Sequence, residues 1–147
     1  MYWAGLELAA IGAVADNLKD FEWAIAAYDV GVSQIQRNGT LPLETARRRR
    51  ALHPHLYALA PLVLLAEFGE ANHIDLYAHA NGFVHRLVNL SVAGLQVPAS
   101  FPEASGVEQE IPKKIGAGQI SWAPPYLRRF PNPALARVVH ASPELSV

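Results

Sequence analysis

Hydrophobic positions along this chain recur at helical spacing, and no alternating strand pattern or internal repeat stands out. From Tyr2 to Ala15 only Glu7 is charged, so the segment is apolar on nearly every side and predicts a buried helix. No Ser, Thr, Asp or Asn precedes Tyr2 to cap its first turn, which fits either a chain cut from something longer or a frayed natural beginning. Asp20 reads as the N-cap of a second helix in which Phe21, Ala24, Ile25, Tyr28, Val32 and Ile35 form the apolar stripe, stopped by the glycine of "RNG". "TLPLET" reads as a loop. A third helix is predicted from about His53 to Glu70, apolar through Leu56, Leu59, Leu62, Val63 and Leu65. Pro54 is tolerable there if it lies in the first turn, whereas Pro61 would sit in the interior and kink the helix. Asn81 is expected to cap a fourth helix, with Phe83, Val84, Leu87, Leu90 and Leu95 on its buried side. Helices of similar length with short connections predict an all-α fold of antiparallel hairpins in series. Beyond Val97 prolines crowd the chain and only short helical pieces such as "APPYLRRF" are expected, with a poorly ordered tail over 131–147 after a domain over 1–130.

Composition narrows the function classes. At 147 residues one domain with a sizeable core is expected. A formal net charge of −1 gives no overall attraction to nucleic acid or anionic lipid, so any electrostatic function has to be local. The absence of cysteine excludes a disulfide framework, a thiolate metal site and a cysteine nucleophile. No stretch approaches the ~20 apolar residues of a membrane span, and the start of the chain lacks the basic n-region of a signal peptide. A hydrophobic share of 51% is high for a small soluble monomer and points to apolar faces that need a partner surface, or else to a tightly packed helical domain.

The unusual stretch is "RRRRALHPHLYAL", residues 47–59, where four arginines meet two histidines and a tyrosine. In a helix only Arg47 and Arg50 of the run would share a face, and Tyr57 continues that stripe, so the three could converge on one anionic ligand. The plainer reading is a solvated basic turn. The remaining basic residues, Lys113, Lys114, Arg128 and Arg129 among them, are too scattered for a nucleic-acid groove. His53 and His55 point to different sides of a helix and have no acidic residues at matching spacing, so no metal site is expected and each reads more simply as a hydrogen-bonded residue at a helix start. Trp122 and Tyr126 flank two prolines in "SWAPPYLRRF"; aromatics on a rigid turn suit sugar stacking, although such turns more often cover a core.

Taken together, "YW" opening a buried helix, "NGTLPLE", "RRRRALHPHLYALAPL", "ANHIDL" and "SWAPPYLRRF" resemble the C-terminal part of the bacterial alginate lyases, the poly(mannuronate) lyase family. The resemblance runs from about Tyr2 to Leu59 and more loosely to about Arg129. It implies helical hairpins forming part of an (α/α) toroid, a periplasmic or secreted location, an acidic polysaccharide (alginate) as partner, no cofactor, and cleavage of a uronic-acid polymer by β-elimination. That reaction needs a group that neutralises the uronate carboxyl, a base for the C5 proton and an acid for the O4 leaving group. Arg47 matches the family's carboxylate-facing arginine. The family's tyrosine falls on Pro54, and its histidine, which follows paired asparagines ahead of the Tyr-Trp pair, has no counterpart within residues 1–147. The expected set is therefore Arg47 and Tyr57 for catalysis and Arg50, His53, His55, Trp3, Trp122 and Tyr126 for substrate binding, in a chain of weak or no activity. Tyr57 lies one turn, about 5 Å, beyond the proline. Two other readings stay open: a non-catalytic binding module for anionic glycans, and a helical interaction protein that self-associates through the Tyr2 to Ala15 helix.

Overall fold

The computed structural model describes residues 2–15, 18–97, 101, 106–110 and 115–142, all helices and connecting turns with no strand among them. Helices α1 (Tyr2–Ala15) and α2 (Leu18–Ser33) pack along each other as a hairpin. A short helix, α3 (Pro42–Thr45), and a single 3-10 turn (Arg48–Arg50) lead into α4 (Leu52–Ala71), and a second 3-10 turn (Leu76–Ala78) leads into α5 (His79–Gln96). Three short helices follow: α6 (Ala117–Ile120), α7 (Ala123–Arg129) and α8 (Pro133–His140). Lys113 and Lys114 lie outside the described residues.

The central, most buried helix is α4, not α1, with its first turns opening to solvent at His53 and Tyr57. Leu52, Leu56, Leu59, Leu62, Val63 and Leu65 are at most 2% exposed, and α1, α2, α3, α5, α6 and α7 all pack against this helix. Pro54 sits in its first turn, where its missing N–H would have been unsatisfied in any case, and α4 continues through Pro61, whose ring is buried in the core. Helix α1 instead buries one face, Gly5, Ala9 and Gly12. A Cβ on Gly5 would stand 3.1 Å from that of Ala27, so the small residues let the α1 and α2 backbones approach closely. Ile11, 53% exposed, lies on the outer face.

Other boundaries shift for local reasons. Asp20 lies inside the first turn of α2, where its charge favours the helix N-terminus, rather than at the cap. That helix ends at Ser33, before "RNG". Gly39 instead makes a left-handed turn (φ +87°) against α5, where a Cβ would meet the Arg86 carbonyl oxygen at 2.4 Å. Asn81 does not cap α5; it is the middle of three left-handed residues, Ala80 to Gly82, and the right-handed helix begins at Phe83. Val84, Leu87, Val88 and Val92 form its buried side, with Phe83, Leu90 and Leu95 half-buried. The expected disorder after Pro131 is corrected through residue 142: Asn132 caps α8 by accepting from the Leu135 N–H, and Leu135 is fully buried where α8 packs on α5 and α7.

Candidate functional site

The entry to α4 is built from contacts distant in sequence. Arg48 adopts φ +54°, a left-handed conformation that costs an arginine about 1 kcal/mol relative to glycine. The chain therefore turns between Arg47 and α4 instead of running as one helix. The first α4 amide, that of Leu52, donates to the Gln109 side-chain oxygen at 3.0 Å, while the Gln109 amide donates to the Arg48 carbonyl. This cap holds the arginine turn against the helix.

His55 then fastens the preceding segment. Its Nδ1–H donates to the Ala51 carbonyl at 2.7 Å and its Nε2 accepts from the Leu41 N–H at 3.0 Å. The ring is fully buried, edge-on to Phe101, and burial holds its pKa below the usual histidine value. His55 is thus a structural clamp and not a substrate-binding residue, because both nitrogens are committed inside the core.

With Leu41 held, α3 and Arg47 come to lie over the start of α4. Trp3, Glu44, Arg47, His53, Pro54, Tyr57 and Ala58 line an open groove of about 320 Å³. Trp3 and Tyr57 meet with ring centroids 5.8 Å apart, and His53 stacks on Tyr57 at 5.7 Å, so three rings from two helices form one platform. Beside it, Arg47 Nε lies 2.9 Å from Glu44 Oε2, with the arginine 64% exposed. That pair is weak in water, and the terminal nitrogens of Arg47 remain available as donors. Gln119 of α6 donates to His53 Nδ1 at 2.7 Å from behind the platform. An exposed cation flanked by stacked rings can pair with a carboxylate while the rings cover the apolar face of a sugar.

Of the expected site residues, Trp3, Arg47, His53 and Tyr57 are brought together; Arg50, Trp122 and Tyr126 are not. Arg50 reaches Glu110 (Nε–Oε2 3.3 Å), outside the groove, because the left-handed Arg48 breaks the helical register that would have aligned it with Arg47. Trp122 is fully buried and its Nε1–H donates to the Gln119 carbonyl. Tyr126 is 3% exposed, and its hydroxyl, pushed up to about 12 by burial, is hydrogen-bonded to His85 Nδ1 at 2.7 Å. Both cover the core rather than stack on sugar. Arg129 locks the same end of the fold, contacting Glu67 at 2.6 Å and Glu70 at 3.0 Å on α4. Glu44 and Gln119 were not singled out by sequence. The three-residue offset of Glu44 from Arg47 is a readable ion-pair spacing, whereas Gln119 lies 66 residues from its partner and carries no local signal.

The family model of the alginate lyases matches residues 1–101. The chain belongs to the alginate lyase family. An alginate lyase of Pseudomonas syringae pv. tomato is 40% identical over 126 residues, covering 85% of this chain and 33% of the relative. One from Cobetia marina is 39% identical over the same length. The chain thus spans about a third of the length of the curated relatives it matches. Among solved structures, alginate lyase A1-III from Sphingomonas species A1 superposes with a TM-score of 0.81 at 28% identity, covering 91% of this chain and 39% of that one. A tyrosine-to-phenylalanine variant of alginate lyase A1-III complexed with a tetrasaccharide superposes with a TM-score of 0.79 at 29% identity, over 88% of this chain and 38% of that one. The helical hairpins of this family member are therefore part of an (α/α) toroid.

Proposed function

We propose that this chain forms the carboxylate-binding wall of a polyuronate cleft, in a protein whose chemistry is β-elimination of polymannuronate, and that by itself it binds such polymers with little or no turnover. The observation that carries the reading is the groove in which Arg47 stands beside the Trp3–Tyr57–His53 platform. Arg47 can pair with a uronate carboxylate and so favour loss of the C5 proton. Pro54, at the groove where the family resemblance expects a tyrosine, has no group that can hold or move a proton. Tyr57 is near, but a misplacement of about 1 Å can cost a hundredfold in rate. A periplasmic or secreted location belongs to the same proposal. Purified chain incubated with polymannuronate should yield almost no ultraviolet-absorbing unsaturated ends while retaining measurable affinity. Steady accumulation of such ends, abolished in Tyr57→Phe, would show Tyr57 to be the base.

The exposed outer face of α1 supports a second reading, association of this chain through that helix. Leu8 and Ile11 lie there, with Leu8 half-buried. Ile11→Lys should leave the circular dichroism spectrum unchanged and reduce light scattering, because a charge on a solvent-facing position costs little. A monomeric wild type, or an unfolded mutant, would rule this out.

A further inference from the structure

We propose that Gln119 is a positioning residue that fixes the tautomer of His53, so that the imidazole offers its Nε2–H to a groove-bound uronate as a hydrogen-bond donor and not as a base; the donor half of this inference rests on the polyuronate reading above.

The argument starts from the carboxamide. Gln119 is 6% exposed, and its Oε1 accepts the Gly116 N–H at 2.9 Å. That bond settles which end of the amide is oxygen, since an NH2 group there would face another donor. The remaining end, Nε2, carries only hydrogens and lies 2.7 Å from His53 Nδ1. A donor at that distance needs a lone pair, so Nδ1 is unprotonated and the ring proton of neutral His53 is on Nε2. The stacking of its ring on Tyr57, at an interplanar angle of 25°, holds the ring plane, and a 180° flip within that plane would put Cδ2–H against the Gln119 amide and lose the hydrogen bond. Nε2 is on the ring edge away from Gln119, and His53 lines the groove beside Arg47. A neutral donor next to a guanidinium suits a carboxylate, whose two oxygens can accept from both. The buried His55, two residues on, is fixed the opposite way, with its proton on Nδ1. One turn of α4 thus holds two histidines in opposite tautomers, each set by what lies across from it.

The test is nitrogen NMR of the full chain with 15N-labelled histidine, His53 being assigned by its loss in His53→Phe, together with titration of a tetramannuronate. In the wild type His53 should show an unprotonated Nδ1 and a protonated Nε2. Gln119→Glu replaces the donor with an acceptor while still offering an oxygen to the Gly116 N–H, so it should protonate Nδ1. Gln119→Leu, which adds no charge, should give a tautomer mixture. His53→Phe keeps the stacking and loses the donor, and should weaken tetramannuronate binding about tenfold, with Gln119→Leu losing less. A protonated Nδ1 in the wild type, or one unaffected by both Gln119 variants, overturns the tautomer assignment. Unchanged affinity in His53→Phe overturns the donor role. No tetramannuronate binding by the wild type defeats the polyuronate reading and the donor role with it, while the spectra still decide the tautomer.

Discussion

His55→Ala is expected to lower the unfolding free energy by about 3–5 kcal/mol, a large part of the ~5–15 kcal/mol total of a domain this size. Two effects add. Removing a fully buried ring leaves a cavity beside Phe101, and the Leu41 N–H loses its acceptor, His55 Nε2, a loss of about 1–3 kcal/mol by itself. The Ala51 carbonyl is less affected because the residue 55 backbone N–H also donates to it. The same geometry makes stability pH-dependent. With Nδ1–H bonded to Ala51 and Nε2 accepting from Leu41, only the neutral ring fits, and a second proton would face the Leu41 N–H. Burial lowers the folded-state pKa of His55 and, independently, that of His85, so below about 6.5 the unfolded chain binds protons that the folded chain does not. Stability should therefore be level above about pH 6.5 and fall as the pH drops below it. Urea midpoints across pH 5 to 8 measure this, and His55→Gln should shallow the acid limb while His85 keeps the rest. An acid limb with undiminished slope in His55→Gln would exclude His55 as a source. Because Leu41 precedes α3, the alanine variant should also lose the groove, not only stability.

Arg47→Ala should weaken oligomannuronate binding by about 1.5–3 kcal/mol, roughly 10- to 150-fold, the range for a hydrogen bond to a charged group. Arg47 is the cation of the groove, is 64% exposed, and among the described residues its side chain pairs with Glu44, a contact that an incoming carboxylate can replace. Arg50→Ala provides the contrast: its side chain is engaged with Glu110 and lines no part of the groove, so it should change affinity little. Arg48→Ala should behave likewise. Calorimetry with a tetramannuronate at two salt concentrations separates the outcomes. Equal losses from all three substitutions, vanishing at high salt, would mean diffuse electrostatics and end the assignment of Arg47 as a specific contact.

Sequence by itself determined what is local. The apolar periodicity of α2, α4 and α5 located three helices to within a few residues, because helical hydrogen bonds and burial stripes both repeat within four residues of each position. The cationic and aromatic composition of residues 47–59 was legible as well, and the structure places Arg47, His53 and Tyr57 along one groove with Trp3. What the tertiary structure alone decided is which side of each residue faces solvent. Arg50 left the set because Arg48 turns left-handed, and that turn is held by Gln109, 61 residues further along the chain. His55, Trp122 and Tyr126 left it because they are buried and their polar atoms are spoken for by Leu41, Ala51, Gln119 and His85. Residues 131–142, which open on two prolines and follow a proline-rich stretch, read as a loose tail but fold because α5 offers Leu135 a place in the core. Propensity and periodicity act between near neighbours, whereas burial and hydrogen-bond partnership are set by chain segments that only folding brings together.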